Sequence, residues 1–113
     1  MKILNRLKID EIVKALWCGS LWDFEHNFLK HSVNFSVTVK DLNDVSFYRV
    51  NIEKINRINI TYDNPEIDWD YVELTEIEIE EGENTIIFSS ELWSSCLLEI
   101  EAGEIEVLRI AKL

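Results

Sequence analysis

The chain begins with a helical pattern of apolar residues. Five of them occupy the i, i+3, i+4, i+7 and i+8 positions of one helix face: Ile9, Ile12, Val13, Leu16 and Trp17. Asp10 and Glu11 stand at the N-terminal end, where negative side chains complement the helix dipole. Gly19 follows and permits the left-handed residue that closes a helix. These features predict one amphipathic helix that ends near Cys18.

After Gly19 the spacing of apolar residues changes from about 3.6 to two, which predicts strands through the rest of the chain. Apolar side chains from Val33 to Val39 alternate with polar ones, as is typical of a strand with one buried face. Residues 21–29 are predicted as its antiparallel partner, joined to it by a loose connection at 30–32. Further strands are predicted at 47–52, 58–62 and 85–90, with turns at 41–44, 63–66 and 81–84.

Three places interrupt this alternation. Residues 53–57 predict either a bulge or a bend into the next strand. The phase of the apolar positions changes between Leu74 and Ile77, which also predicts a bulge or bend. Ala102 and Gly103 separate two apolar segments by the two residues of a tight hairpin turn. The end of the chain is therefore predicted as two strands, at 96–101 and 104–110.

Short strands with compact turns after a single N-terminal helix predict an α+β fold that is mostly β. We expect one amphipathic helix packed on an antiparallel sheet or a small sandwich of about six to eight strands. There is too little helix for the crossover connections of a parallel sheet. The length of 113 residues predicts a single domain over residues 1–113.

The composition predicts a folded protein in a reducing compartment. Hydrophobic residues make up 47% of the chain, which is too many for a disordered chain of this acidity. The N-terminus lacks the long apolar region of a signal peptide, and no window approaches about 18 uninterrupted apolar residues. We therefore expect a soluble cytoplasmic protein whose two cysteines are reduced.

Charge is distributed unevenly along the chain, whose net charge is −11. Residues 58–108 contain fifteen acidic side chains and no Lys, Arg or His, whereas residues 1–57 contain nine basic and seven acidic side chains. A surface of one sign repels nucleic acids and anionic membranes and attracts basic proteins. The expected partner is therefore a protein, with no nucleic acid and no membrane.

Residues suited to catalysis are few. His26 and His31 fit no metal or nucleophile motif, and both are expected as ordinary titratable groups on the surface. Cys18 and Cys96 are expected to be small core residues. The three glycines lack the spacing of a phosphate-binding loop. We therefore expect no catalytic residues, no cofactor and no enzyme activity.

The acidic residues permit three interpretations. One is a calcium or magnesium site at residues 63–70, but this segment lacks the mid-loop glycine and terminal glutamate of the standard calcium loop, and no metal is expected. Another is a solvated sheet face, since Glu76, Glu78 and Glu80 share one side of a strand. The third is a surface that binds a partner. This interpretation is favoured because a mixture of acidic and basic side chains would be enough to keep the protein soluble.

Aromatic residues within the acidic segment sharpen this choice. Large amphipathic rings combined with charge are typical of binding hot spots. Trp93 is equally consistent with burial and with exposure. The predicted partner-binding residues are Tyr62, Asp63, Glu66, Asp68, Trp69, Asp70, Tyr71, Glu73, Glu76, Glu78 and Glu80.

Two segments resemble the YxiG-like small proteins of bacteria. They are residues 68–77 (DWDYVELTEI) and 97–107 (LLEIEAGEIEV), and the early Leu21-Trp22-Asp23 fits as well. Proteins of this kind are often encoded beside polymorphic or contact-dependent toxins. The resemblance implies an immunity protein that neutralises a cognate toxin, and it carries over no specific functional residue.

The acidic segment at 58–108 indicates the same class of partner. Capture of a basic toxin, with a nuclease favoured, would gain speed from opposed electric fields. We therefore predict an acidic, aromatic-bearing surface that covers or flanks the active site of a toxin. Two alternatives remain open at this point. One is a module that binds a small ligand or metal at an open end of the sheet, and the other is a structural subunit of a larger assembly.

Overall fold

A computed structural model of the chain describes residues 2–66 and 68–112. These residues form one α-helix and seven strands, all paired antiparallel in a single sheet. The elements are β1 (Ile3–Arg6), α1 (Ile9–Leu16), β2 (Ser20–Asn27), β3 (Ser32–Asp41), β4 (Asp44–Tyr62), β5 (Val72–Glu81), β6 (Ile86–Leu92) and β7 (Cys96–Ile110). The prediction of a mostly β fold with an antiparallel sheet is confirmed, and the sandwich alternative is not adopted.

The sheet closes on itself. Its strand order is β1-β7-β4-β3-β2-β5-β6, and β6 also pairs with β7, so β2 to β7 form a closed ring to which β1 is added at the end of β7. The shortest strand pairing in the ring, which we call the seam, is between β2 and β5, which pair only at Ser20–Glu73 and Leu21–Val72. Beyond Leu21, β2 therefore continues without β5 beside it, and one end of the ring is open there.

Apolar side chains from all six strands of the ring fill its interior. Phe35 is fully buried, and its ring centroid lies 5.9 Å from that of Phe24 and 6.2 Å from that of Phe88. These three rings connect β3 with β2 and β6 across the interior. Other members of the core are Val33, Val37, Val50, Ile52, Leu74, Ile77, Leu98, Ile100 and Val107.

The helix adds two buried residues to this core. Ile12 and Leu16 are buried, and α1 contacts β3 and β5. At its start, Glu11 Oε1 accepts a hydrogen bond of 2.8 Å from the backbone N–H of Lys8, which satisfies one of the free donors of a helix N-terminus. No helix among the described residues is long and apolar enough to cross a membrane.

The helix end differs from the prediction in one respect. Cys18, and not Gly19, takes the left-handed conformation, with φ of 60°. Gly19 is buried, and a Cβ atom placed there would lie 2.5 Å from Cγ1 of Val37 and 2.9 Å from the carbonyl oxygen of Leu16. Glycine is needed at position 19 for the close approach of the helix end to β3, and not for its positive φ.

Both segments that were predicted to form a bulge or a bend contain a bulge. The register of β4 against β7 shifts between Ile55 and Arg57, and Lys54 has φ of 57°, so residues 44–62 form one long bent strand. In β5 the register against β6 shifts between Thr75 and Glu78, and Glu76 has φ of 48°. The bulge in β5 moves the inward positions from Val72 and Leu74 to Ile77, which explains the change of phase in the sequence.

The predicted hairpin at Ala102-Gly103 is wrong. Residues 96–110 form one continuous strand, in which Ala102 is 1% exposed and pairs with Ile55 of β4 and Ile86 of β6. A tight two-residue hairpin needs positive φ, which Gly103 does not adopt. Gly103 instead lies against the bend of β4, where an added Cβ would be 3.0 Å from the Cβ of Lys54.

Candidate partner-binding site

The glutamates of β5 and β7 share one outer face of the sheet. Strand β6 lies between β5 and β7, so the two rows are separated by two strand spacings, or about 10 Å. Glu91 of β6 lies on the same side, since Ser90 and Leu92 point inward and are buried. We call this surface the acidic face and define it by Glu78, Glu80, Glu91, Glu99 and Glu101.

The glutamates of the acidic face are interleaved with uncharged residues. Ser89 of β6 stands between Glu78 and Glu99, and Ile87 stands between Glu80 and Glu101. No two of these carboxylates are therefore direct cross-strand partners. The arrangement avoids the repulsion of about 0.2–1 kcal/mol that directly opposed like charges would cause.

Arg57 of β4 neutralises one side of the acidic face. Its Nη1 lies 2.6 Å from Glu99 Oε1, and its Nε lies 3.5 Å from Glu101 Oε2. The hydrogen bond and charge of Glu99, followed by those of Glu101, raise the pKa of Arg57. Within the described residues, Glu78, Glu80 and Glu91 have no ion pair, so the uncompensated negative charge lies on β5 and β6.

Four aromatic side chains form a continuous cluster at the open end of the ring. The ring of Trp69 stacks on Tyr62 at a centroid distance of 6.2 Å and meets the ring of Trp93 edge-on at 6.4 Å. Tyr71 meets Trp93 at 5.5 Å. Tyr62, Tyr71 and Trp93 are 53%, 52% and 41% exposed. We call these four residues the aromatic patch, and they include Trp93, whose exposure the sequence left open.

Backbone hydrogen bonds hold the segments of the aromatic patch together. The N–H of Asp63 donates to the carbonyl of Ser95 at 2.8 Å, which joins the end of β4 to the β6–β7 turn. The N–H of Trp93 donates to the carbonyl of Glu73 at 3.0 Å, which joins that turn to β5. Glu91 precedes Trp93 by two residues, so the acidic face and the aromatic patch meet at the end of β6.

A cavity of about 320 Å³ lies beneath the aromatic patch. Its floor includes the buried residues Leu21, Val72 and Leu98 of the core. Asp23 and Asp70 are the charged residues of its wall. The other lining residues are apolar or aromatic, apart from Cys96: Trp22, Phe24, Ile60, Tyr62, Trp69, Tyr71 and Leu92.

Strand β2 contributes lining residues that the sequence pattern did not predict. Asp23 has φ of 55°, and the register of β2 against β3 shifts between Trp22 and Glu25. This bulge brings Phe24 to the inward side together with Leu21, which strict alternation would not permit, and Trp22 also lines the cavity. The indole N–H of Trp22 donates to Thr38 Oγ1 at 3.0 Å. The adjacent apolar positions 21 and 22 carried no signal of this bulge.

The structure separates the predicted partner-binding residues into groups. Tyr62, Trp69, Asp70 and Tyr71 line the cavity, and Glu78 and Glu80 belong to the acidic face. Glu76 is exposed at the bulge of β5, whereas Glu73 is half-buried beside the seam with β2. The remaining three, Asp63, Glu66 and Asp68, are exposed in the connection between β4 and β5.

The cysteines and histidines do not form a reactive centre. Cys96 is buried in the cavity wall, where burial and then the charge of Asp63 raise the pKa of its thiol. Cys18 is free and exposed, which corrects its assignment to the core, and desolvation followed by a hydrogen bond with Glu73 raises its pKa. A raised pKa keeps a thiol protonated and weakly nucleophilic. His26 and His31 are exposed.

The described part of the chain contains no group of three or more His, Cys, Asp or Glu side chains placed to hold a metal ion. Comparison of the chain with protein-family models, with curated proteins and with solved structures found no match. The acidic face, the aromatic patch and the cavity are therefore the features of this chain that bear on its function.

Proposed function

We propose that this chain binds a basic protein through the acidic face and the aromatic patch. The observation that carries the proposal is that these two surfaces are contiguous. Exposed aromatic rings supply contact area that is buried on binding, while unpaired carboxylates steer a basic partner toward them. A solvated face alone would not require the exposed rings of Tyr62 and Tyr71 beside it.

The proposed partner is a toxin domain that the chain neutralises as an immunity protein. The resemblance of residues 68–77 and 97–107 to YxiG-like proteins supports this class, and these segments run through the aromatic patch and the acidic face. A nuclease is the favoured toxin, because side chains that bind phosphate also bind carboxylates through charged hydrogen bonds. In this arrangement the glutamates of β5 and β6 would occupy or border the position of the nucleic-acid backbone.

A kinetic experiment tests the role of the acidic face. The probe is the toxin domain encoded beside the gene for this chain, and its absence from that position would itself count against immunity. We expect the double variant Glu78→Lys, Glu80→Lys to lower the association rate about tenfold or more at low ionic strength, since opposed fields raise such rates by about 10–10³. Stopped-flow fluorescence measures the rate, and recovery of toxin activity measures neutralisation.

The matched control is Asp41→Lys, Asp44→Lys, which changes the net charge equally. These residues are exposed at the β3–β4 turn, at the opposite end of β4 from Tyr62. We expect the control to change the association rate by less than about threefold, because exposed charges more than a Debye length apart are screened. Equal slowing by both double variants would show that net charge, and not the acidic face, determines capture.

Binding of a small ligand is the second candidate function. Its specific support is the aromatic-lined cavity beside Asp23 and Asp70, whose volume lies at the lower end of the range of about 300–1,000 Å³ for ligand pockets. Screening the purified chain by native mass spectrometry for a retained small molecule distinguishes the two. A stoichiometric ligand that survives toxin binding would favour this function.

A further inference from the structure

We infer that the cavity beneath the aromatic patch binds the side chain of an arginine presented by the partner protein. This inference rests on the proposed function, since it assigns a specific contact to the proposed interface. It draws on three features of the cavity, which are its apolar and aromatic wall, its two carboxylates and the absence of Lys and Arg from its lining residues. The wall favours an occupant with apolar or delocalised surface, and the other two features together favour a positive charge.

The wall selects an occupant with apolar or delocalised surface. Trp22, Phe24, Tyr62, Trp69 and Tyr71 supply aromatic rings, and the floor is aliphatic. The small volume suits a side chain better than a helix or strand of a partner. The indole N–H of Trp22 donates to Thr38 Oγ1, so this partly positive group is satisfied and does not repel a cation in the cavity.

The carboxylates select a positive charge. Asp23 Oδ2 already pairs with Arg49 Nη1 at 3.2 Å. Asp70 has no hydrogen bond or ion pair among the described residues, and it is exposed at the wall of the cavity. A cation entering the cavity therefore meets the free carboxylate of Asp70, whereas an anion meets that same negative charge and no Lys or Arg among the lining residues.

Guanidinium fits these two requirements better than ammonium. It is planar, stacks on aromatic rings and accepts loss of water more readily than the strongly hydrated ammonium group of lysine. Its parallel N–H groups can donate two hydrogen bonds to one carboxylate, here that of Asp70. The methylene groups of an arginine would at the same time cover the aliphatic floor.

An NMR titration of the full chain tests the inference. The probe is N-acetyl-arginine methylamide, and the matched probes carry lysine, neutral citrulline or glutamate in place of arginine. We expect the indole N–H signals of Trp22 and Trp69 to shift, while that of Trp17, which lies outside the cavity lining, serves as an internal reference. Arginine should bind about tenfold more tightly than citrulline, given the strength of desolvated cation–π contacts.

Two variants locate the binding to the cavity. Asp70→Asn should weaken arginine binding about threefold to fivefold and leave citrulline binding unchanged, as expected for a partly exposed ion pair. Asp41→Asn is the control for an equal change of charge far from the cavity and should have no effect. Because Asp70 is exposed, its substitution is not expected to disturb folding.

Several outcomes would overturn the inference. Equal affinities for arginine and citrulline would show an apolar pocket without charge selection, and equal affinities for arginine and lysine would remove the selection for guanidinium. An unchanged affinity in Asp70→Asn would remove the proposed carboxylate contact. Failure of the arginine titration with intact toxin capture refutes only this inference, whereas arginine binding without toxin capture refutes only the proposed function.

Discussion

Single residues explain several of the bends on which this fold depends. Cys18, Asp23, Lys54 and Glu76 take positive φ although none of them is glycine. Asp23 and Glu76 lie within register shifts of the sheet, and Lys54 lies just before a third shift, between Ile55 and Arg57. Positive φ costs a non-glycine residue of order 1 kcal/mol or more, so the surrounding pairing must hold each of them in place. Conversely, Gly19 is required for space alone.

The role of Gly19 gives a prediction at this scale. We expect Gly19→Ala to lower the free energy of unfolding by about 1–3 kcal/mol, because the new Cβ would meet Cγ1 of Val37 and a backbone oxygen in a close-packed site. Gly82→Ala is the matched control, since its new Cβ would meet only Thr85, whose hydroxyl can rotate away. Urea denaturation measures both values, and equal losses would contradict this account.

At the scale of elements, most strands could be predicted from the sequence, but one strand and one connection could not. The alternation over Val33–Val39 predicted β3, and its interruptions predicted a bulge or bend in both places where the sheet has one, because inward and outward positions are determined locally along a strand. Strand β1 was missed, since four exposed residues have no periodicity to reveal them. The hairpin at Ala102-Gly103 was predicted wrongly, because the bend of β4 that explains Gly103 is distant in sequence.

The continuity of β7 has a measurable consequence. Ala102 pairs with strands on both sides, so its amide proton is expected to exchange slowly whichever neighbour it faces. The amide protons of β1, a four-residue strand at the edge, should exchange faster by comparison. Hydrogen exchange followed by NMR measures both. Rapid exchange at Ala102, as in a hairpin turn, would contradict the continuous strand.

At the scale of the whole molecule, closure of the sheet creates both surfaces of the candidate site. Pairing of β6 with β5 and β7 brings the glutamate rows together. The pairing between β2 and β5 is short, so one end of the closed sheet is open, and the cavity lies at this open end. The interior must hold this ring closed without a disulfide, since Cys18 and Cys96 are free. Phe35, which contacts rings of β2 and β6, is central to that interior.

Removal of the aromatic side chain of Phe35 tests how much the interior contributes to stability. We expect Phe35→Ala to lower the free energy of unfolding by about 3–5 kcal/mol, because it leaves a cavity in the core. Phe28→Ala, at a residue that is 72% exposed, should change it by less than about 0.5 kcal/mol. Thermal and urea unfolding of the two variants provide the comparison, and similar stabilities would argue against a core centred on Phe35.

The sequence by itself determined the helix, the mostly β character, the bulges and the acidic, aromatic segment at 62–73. These features follow from local periodicity and composition, which are readable one segment at a time. Only the tertiary structure decided that the sheet closes, that Glu78 and Glu99 share one face, and that Trp22 joins Trp69 around a cavity. Those relations depend on pairing between residues distant in the chain, which no local pattern encodes.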